Sequence, residues 1–226
     1  MPTVLITGAG RGLGLEFARQ YAADGWSVIG TVRDAAKASA LAKLGESVEV
    51  HRLELTDRAA ILRLAAKLKG HPIDVLINNA GVYGGRGRSL EGLEWDEWIA
   101  TMTTNAFAPY ALTVALADNL AAGSKKLVLM MTSRMGSIGG NTGGSYAYRS
   151  SKAALNLITT GLACDLRGRG IAVICAHPGW VRTDMGGPGA PVDPKASVDG
   201  LRAVIGRSGL AASGRFFNYD GGEIPW

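Results

Sequence analysis

Short, almost continuous apolar runs alternate along this chain with longer stretches in which apolar residues recur at helical spacing. The apolar runs are rich in Val, Ile and Leu, which is typical of strands buried on both faces. The runs predict strands at Thr3–Thr7, Ser27–Arg33, Val48–Leu55, Ile73–Asn78, Lys126–Thr132, Ile171–Ala176 and Arg215–Tyr219. The intervening stretches predict helices at Leu13–Ala23, Ala35–Leu44, from Thr56 or Asp57 to about Lys69, and at Trp95–Thr104, Phe107–Leu120 and Tyr146–Arg167.

Strands that alternate with helices indicate βαβ units and a parallel sheet. The pattern therefore predicts a Rossmann-like, doubly wound α/β fold, in which helices cover both faces of a seven-stranded, mainly parallel sheet. A length of 226 residues suits one such unit, and no linker divides the chain, so residues 1–226 are expected to form a single domain.

The least regular stretch of the chain is Met185–Asp199, which contains several Gly and Pro residues. We predict a loop there. It follows the sixth strand, and ligands of open α/β sheets bind beyond the carboxyl ends of the strands. The loop is therefore expected to be a lid on the substrate side, with an inert surface connector as the alternative.

Charge and cysteine content narrow the class of protein. The net charge is +5, but the basic residues are scattered, which favours a solvated surface over binding to nucleic acid or a membrane. The two cysteines, Cys164 and Cys175, form no disulfide or zinc pattern and are expected to be buried, reduced thiols. No signal peptide or apolar stretch of about 18 residues is present, so we expect a soluble, cytoplasmic protein without a bound metal.

A glycine-rich segment joins the first strand to the first helix. It reads Thr7-Gly8-Ala9-Gly10-Arg11-Gly12-Leu13-Gly14, with the spacing TGxxxGxG rather than GxGxxG. Glycine lets the backbone turn sharply and approach a ligand, and the helix N-terminus attracts an anion. The segment predicts a site for the diphosphate of a dinucleotide, although a purely structural turn is the alternative.

The end of the second strand bears on which dinucleotide binds. Arg33 there would pair with the 2′-phosphate of NADP, whereas the neighbouring Asp34 would bind the 2′-hydroxyl of NAD. Arg11 supplies a second guanidinium, and guanidinium groups bind phosphate through charge-assisted hydrogen bonds. We therefore predict that NADP(H) is favoured and that NAD(H) is possible.

Tyr148 and Lys152 lie four residues apart on a predicted helix and so share one face. A nearby ammonium would lower the tyrosine pKa from about 10, which suits general acid–base catalysis. The alternative is an ordinary surface pair. Ser133 ends the fifth strand and could hydrogen-bond a carbonyl oxygen, with Ser137 as its competitor. His177 lies beside Pro at a strand end, which favours a structural role.

Taken together, these motifs resemble the short-chain dehydrogenase/reductase family over nearly the whole chain. Within the family the sequence looks most like the short carbonyl reductases of the sniffer and C-factor type. The likeness is carried by Thr7-Gly8, Gly12-Leu13-Gly14, Asn78-Asn79-Ala80-Gly81, Asn105, Met131-Thr132-Ser133-Arg134-Met135-Gly136-Ser137, Tyr146 to Asn156, Pro178-Gly179 and Asp220 to Trp226.

The resemblance implies a catalytic role for four residues. Tyr148 would protonate the carbonyl oxygen during reduction, and Lys152 would lower the Tyr148 pKa and bind the nicotinamide ribose. Ser133 would orient and polarise the carbonyl group. Asn105 would hold a water beside Lys152 and so extend a proton relay.

The resemblance also assigns residues to the cofactor. Glu54 stands where an Asp usually meets the adenine amino group, and the Leu55 main chain would share that role. Besides the catalytic pair Tyr148 and Lys152, the implied cofactor residues are Gly8, Arg11, Gly12, Leu13, Gly14, Arg33, Glu54, Leu55, Asn79, Ala80, Gly81, Pro178, Gly179, Val181 and Thr183.

Substrate and assembly are less well defined by the sequence. The candidates for the wall of a pocket that binds a small carbonyl or alcohol are Tyr83, Met135, Tyr146, Trp180 and Met185. A second face of the long helix, with Leu155, Leu162 and Leu166, is expected to form a homodimer or homotetramer, or else to pack on the protein's own sheet. The likeness to C-factor leaves a cofactor-binding signalling or regulatory protein with little turnover as the alternative function.

Overall fold

A parallel β-sheet forms the centre of the computed structural model. The structure describes residues 1–34, 38–85, 92 and 94–226. The strand order of the sheet is β3-β2-β1-β4-β5-β6-β7, and every strand pair runs parallel. The predicted fold class is therefore confirmed. The strands are β1 (Thr3–Ile6), β2 (Ser27–Val32), β3 (Val48–Arg52), β4 (Val75–Asn78), β5 (Leu127–Met131), β6 (Ala172–His177) and β7 (Phe216–Asn218).

Helices cover both faces of this sheet. They are α1 (Gly12–Ala23), α2 (Ala38–Ala42), α3 (Arg58–Lys67), α4 (Trp95–Met102), α5 (Ala108–Ala115), α6 (Ala117–Ala122), α7 (Tyr146–Asp165) and α8 (Pro194–Arg207). A π-helical turn (Thr103–Phe107) joins α4 to α5, and short 3-10 turns occupy Arg134–Gly136, Arg167–Arg169 and Leu210–Ala212.

Alternate residues of the central strands enter two separate core layers. In β1, Leu5 joins the layer beneath α3, α5 and α7, whereas Val4 and Ile6 join the layer beneath α1 and α8. All three side chains are fully buried. Strands buried on both faces explain why the sequence shows continuous apolar runs instead of alternation.

The order in which strands are added to the sheet reverses at its centre, between β1 and β4. From β1 the chain proceeds outward to β2 and β3, then returns so that β4 pairs with the other side of β1. Such a switch point leaves a crevice beyond the carboxyl ends of the two central strands. The glycine-rich segment, which follows β1, therefore lies at the edge where a ligand can enter.

Two predictions about secondary structure need correction. The loop predicted at Met185–Asp199 is wrong beyond Asp193, because α8 begins at Pro194. The side chain of Asp193 caps this helix by accepting a hydrogen bond from the Lys195 N–H at 2.9 Å. Proline at the first helical position is favourable, since no N–H is needed there. The helix predicted at Ala35–Leu44 is α2 where described; residues 35–37 lie outside the described residues.

Two predictions about buried side chains also need correction. The alternative, packing on the protein's own sheet, is what the structure shows for Leu155, Leu162 and Leu166. These side chains lie in the core of this chain and are not available to a partner. Cys164 is exposed, whereas Cys175 is buried as predicted.

Among the described residues, no helix has the length and apolar character needed to span a membrane. The same residues contain no group of three His, Cys, Asp or Glu side chains that could hold a metal ion.

Candidate active site

The glycine-rich turn after β1 needs glycine for its backbone angles and for its close packing. Gly8 and Gly12 have φ angles of +67° and +53°, which favour glycine. A Cβ atom on Gly14 would lie 2.3 Å from the Gly8 carbonyl oxygen and 2.6 Å from Asn79 Nδ2. Arg11, the N-cap residue of α1, makes no side-chain capping bond, and the first turn holds no acid. The first N–H groups of α1 and its positive dipole end thus suit a diphosphate.

Hydrogen bonds tie this turn to the end of β4. Asn79 Nδ2 donates to the Thr7 carbonyl oxygen at 2.9 Å, and the Ala80 N–H donates to Thr7 Oγ1 at 3.0 Å. A Cβ atom on Gly81 would lie 3.2 Å from Asn105 Oδ1 and 3.6 Å from Lys152 Nζ. Asn79, Ala80 and Gly81, which are predicted to line the cofactor, therefore connect the glycine-rich turn to the predicted catalytic residues.

Tyr148 lies in the first turn of α7 and is 9% exposed. Burial raises the pKa of its hydroxyl to about 12, although a hydrogen bond with Ser133 acts in the opposite direction. That Lys152 lowers this pKa stays a prediction. The ammonium lies 5.7 Å from the centre of the Tyr148 ring and donates to the Met131 carbonyl oxygen at 2.8 Å. Desolvation of the phenolate therefore dominates.

Lys152 is itself almost inaccessible to solvent, with 4% exposure. Burial lowers its pKa to about 8, so the side chain is still mostly protonated at neutral pH. Its bond to the Met131 carbonyl oxygen at the end of β5 fixes the ammonium at the carboxyl edge of the sheet. The sequence pointed to the cation but gave no sign that a strand-end carbonyl would hold it.

Two serines follow β5, and they differ in their contacts. Ser133 forms a hydrogen bond with Tyr148, and its Oγ also accepts from the Met135 N–H at 3.2 Å. Ser137 is also buried, but its hydroxyl lies beside Gly140. The position beside the phenol therefore favours Ser133 over Ser137 as the group that would meet a carbonyl oxygen.

Asn105 lies in the π-helical turn and is fully buried. Its Oδ1 accepts from the Val82 N–H at 2.8 Å, and its Nδ2 donates to the Val82 carbonyl oxygen at 2.8 Å. Nδ2 also donates to Ser151 Oγ at 3.0 Å. These contacts give Asn105 a task that the sequence did not suggest, which is to hold the segment after β4.

The segment after β6 lies over the glycine-rich turn. A Cβ atom on Gly12 would lie 3.5 Å from the methyl group of Thr183, and the next residue, Asp184, forms an ion pair with Arg11. Gly179 has a φ of +86°, and a Cβ atom there would lie 3.0 Å from the ring of Tyr219. The predicted cofactor segment thus approaches the predicted diphosphate site, and Asp184 is a partner of Arg11 that the sequence did not identify.

Two further residues of that segment are held through their main-chain atoms. The Pro178 carbonyl oxygen accepts from Ser197 Oγ at 2.6 Å, which anchors it to α8. Val181 forms an isolated parallel bridge with Val192. The helix missing from the sequence prediction therefore supports the segment predicted to meet the nicotinamide.

Arg33 and Glu54 are neighbours beyond the ends of β2 and β3. The Glu54 carboxylate accepts hydrogen bonds from the Thr56 N–H at 3.1 Å and from Thr56 Oγ1 at 2.8 Å. These bonds and the charge of Arg33 lower the Glu54 pKa. Arg33 is exposed, and Leu55 is half-buried against the core. One carboxylate oxygen of Glu54 is thus already used by its own turn.

The predicted substrate residues differ in their relation to Tyr148. Tyr83 stacks on it, with ring centres 4.6 Å apart and planes 15° from parallel. Met135 is half-buried beside Ser133, whereas Tyr146 and Met185 are exposed. Trp180 is also exposed, and its Nε1 donates to the Gly186 carbonyl oxygen at 2.8 Å. The sequence included Tyr83 but offered no signal for ring stacking on the candidate acid.

The sequence of this chain is similar to those of known proteins. The sequence profile of the family described as short chain dehydrogenase matches residues 2–191. The C-signal protein of Myxococcus xanthus is 47% identical over 156 residues, which are 69% of this chain and 93% of that protein.

Solved structures show the same similarity over the whole chain. Carbonyl reductase Sniffer of D. melanogaster is 33% identical with a TM-score of 0.91, and the alignment covers 100% of both chains. An NADPH-bound carbonyl reductase from chicken fatty liver is 32% identical with a TM-score of 0.91, over 100% of this chain and 99% of that one. The chain therefore belongs to the short-chain dehydrogenase family.

Proposed function

We propose that this chain is a cytoplasmic NADP(H)-dependent oxidoreductase that reduces an aldehyde, ketone or quinone to an alcohol, or catalyses the reverse, with residues 1–226 acting as one domain. One observation carries the proposal: a buried phenol, hydrogen-bonded to a serine, lies near a buried ammonium at the carboxyl edge of the sheet. The test is the loss of NADPH absorbance with a panel of aldehydes, quinones and diketones. Absence of turnover across the panel would contradict the proposal.

In this mechanism the chain positions the carbonyl group and moves a proton. Ser133 Oγ donates a hydrogen bond to the carbonyl oxygen as negative charge develops there. Tyr148 gives that oxygen its hydroxyl proton, and its raised pKa keeps it protonated at neutral pH, which suits reduction. Lys152 binds the nicotinamide ribose, and Asn105 extends the proton path through a water. Bound NADPH supplies the hydride.

The glycines and cations around the diphosphate site support NADP(H) as the cofactor. The tight turn at Gly8 and Gly12 and the uncapped N-terminus of α1 fit a diphosphate, and a related carbonyl reductase binds NADPH. In this proposal Arg33 and Arg11 neutralise the 2′-phosphate, Arg11 exchanging Asp184 for it. NAD(H) lacks that phosphate and remains a possible, weaker ligand.

Replacing Arg33 with Ala is expected to weaken NADPH binding about 10- to 100-fold, because hydrogen bonds to a charged group contribute about 1.5–3 kcal/mol. NADH binding is expected to change little, since NADH presents no 2′-phosphate. Fluorescence titration with both cofactors measures the two dissociation constants. Equal losses for NADPH and NADH would refute the assignment of Arg33.

The apolar character of the predicted pocket residues, three of which are exposed, supports an apolar substrate that binds in an open cleft. In this proposal Tyr83, Met135 and Tyr146 form one side of the cleft, and Trp180 and Met185 form the other. An open cleft lined by large apolar side chains favours broad tolerance among small carbonyl compounds.

A role in signalling is the second candidate. The 47% sequence identity with C-signal, over 69% of this chain, favours it. In that role the chain would bind the cofactor with little turnover. The carbonyl panel separates the two candidates: tight NADPH binding without turnover on any substrate would favour signalling, whereas turnover that depends on Tyr148 favours the enzyme.

We also propose that two copies of the chain associate. Exposed apolar side chains follow α4 and α5, among them Trp95, Ile99, Phe107 and Val114. Leu157 is 75% exposed on α7, which packs beside α4. A second copy would remove these side chains from water.

Replacing Phe107 with Asp is expected to convert the assembly into monomers, because a charge on the apolar surface would have to lose its water. Light scattering at micromolar concentration measures the mass against the 23.5 kDa of one chain. A wild-type mass equal to one chain would contradict the association.

A further inference from the structure

Tyr83 connects the segment after β4 to the first turn of α7. Its ring lies on that of Tyr148, with centres 4.6 Å apart, and its hydroxyl shares a hydrogen bond of 2.9 Å with Ser145 Oγ. One side chain thus contacts the proposed general acid and also the residue that precedes its helix.

The segment that carries Tyr83 is bound to the protein on both sides. Before it, the Asn105 amide bonds both the N–H and the carbonyl oxygen of Val82 at 2.8 Å. After it, the Gly85 N–H donates to Glu97 Oε1 at 2.8 Å. A Cβ atom on Gly84 would lie 2.0 Å from Thr101 Oγ1, so this backbone packs directly on α4. Tyr83 is consequently fixed relative to α4 and the π-helical turn.

The first turn of α7 lacks the usual side-chain cap. Ser145 is the N-cap residue, but its hydroxyl makes no capping bond and instead bonds Tyr83. Its φ of +47° is rare for a residue with a side chain. The preceding Gly143 and Gly144 also have positive φ angles. Glycine restricts the backbone little, so this segment is easily deformed. Tyr148 lies in this uncapped turn, so its position depends on contacts from outside the helix.

We propose that Tyr83 is a positioning residue for the reaction: its ring packs on one face of Tyr148, and its bond to Ser145 holds the residue that precedes α7, so that the catalytic hydroxyl stays directed at Ser133 and the substrate. This inference rests on the proposed function of Tyr148 as general acid. It also explains the contacts of Asn105, which acts on Tyr148 through Val82 and Tyr83.

Replacing Tyr83 with Ala removes both the ring contact and the hydrogen bond. We expect kcat to fall about 10- to 100-fold, because small displacements of a reacting group have effects of this size. We also expect the step of the kcat profile that belongs to the Tyr148 phenol to move about one unit lower, since water reaches the phenol and its burial no longer raises the pKa as far. The step that belongs to Lys152, whose pKa is about 8, is separate and lies at lower pH. The dissociation constant of NADPH is expected to stay unchanged. A residue with only a structural role would lower the melting temperature without moving the pH profile.

Two milder variants isolate the hydrogen bond. Tyr83→Phe keeps the ring contact, and Ser145→Ala removes the other partner. Each is expected to lower kcat about two- to tenfold, the effect of one neutral hydrogen bond, and the double variant no more than either alone. Tyr110→Phe removes an exposed hydroxyl on α5 and serves as the matched control. Losses that multiply in the double variant would show that the two hydroxyls act separately and would overturn the proposed bond.

The failure of this inference can be distinguished from failure of the proposed function. If wild-type turnover depends on Tyr148 but Tyr83→Ala keeps the wild-type kcat and pH profile, only the inference is wrong. If no carbonyl is reduced, the ultraviolet titration of tyrosine still decides it. The difference between wild type and Tyr148→Phe isolates the Tyr148 phenol, and the same difference is measured with Tyr83→Ala present. Ionisation at lower pH supports the contact, and an unchanged titration overturns it.

Discussion

Replacing Tyr148 with Phe is expected to lower kcat for carbonyl reduction about 10²- to 10⁴-fold, the contribution of a positioned general acid. Phenylalanine keeps the ring that stacks on Tyr83 and fills the same buried space, but it has no proton to give. The fold and the glycine-rich turn are left intact, so NADPH should bind with its wild-type dissociation constant. The measurement is NADPH oxidation with the best carbonyl from the panel, together with fluorescence titration of NADPH.

Tyr110→Phe controls for the loss of a tyrosine hydroxyl elsewhere, because Tyr110 is exposed on α5. It should keep wild-type turnover. Near-native turnover by Tyr148→Phe would show that another group protonates the carbonyl oxygen, and the assignment of the acid would be wrong. A large loss of turnover accompanied by equal loss of NADPH binding would instead indicate that Tyr148 acts mainly in holding the cofactor.

Replacing Gly14 with Ala is expected to damage both the fold and the cofactor site. The new methyl group would lie 2.3 Å from the Gly8 carbonyl oxygen and 2.6 Å from Asn79 Nδ2, so the turn or the end of β4 has to move. Overpacking of this kind costs about 1–3 kcal/mol in the free energy of unfolding. A shift of the turn by about an ångström should lower turnover about a hundredfold and weaken NADPH binding.

Gly206→Ala is the matched control, because nothing lies within 4 Å of a Cβ atom at this position in α8. Alanine is the better helix former, so stability should stay constant or rise by about 0.5–1 kcal/mol, with turnover unchanged. Urea unfolding and NADPH titration compare the two variants. Wild-type NADPH affinity in Gly14→Ala would show that the diphosphate does not bind at this turn.

Most of the sheet could be predicted from the sequence, because each central strand is buried on both faces and has to be apolar throughout. Strand β5 (Leu127–Met131) is one example, because every residue in it is buried. α8 escaped prediction because glycines and prolines before it were interpreted as part of one long loop. The signal was present in Asp193 followed by Pro194, a cap and a first helical residue, and in the buried Val198, Leu201 and Val204.

The candidate site shows the same division between local pattern and long-range contact. The i, i+4 spacing placed Tyr148 and Lys152 on one helix face, but the sign of the Tyr148 pKa shift depended on burial and on the distance to the ammonium. Arg11 was interpreted as a phosphate ligand, whereas its partner Asp184 lies 173 positions away in the chain. No local pattern indicates such a neighbour.

The sequence by itself determined the α/β class, the family, the glycine-rich turn and the pairing of Tyr148 with Lys152, because each depends on residue type and short-range spacing along one strand, turn or helix. Only the tertiary structure decided that Tyr83 lies on Tyr148, that Asn105 holds Val82 and that Met131 holds Lys152. These contacts join segments that meet because the strands end at a common edge, and the burial and charge they create are properties of the assembled fold.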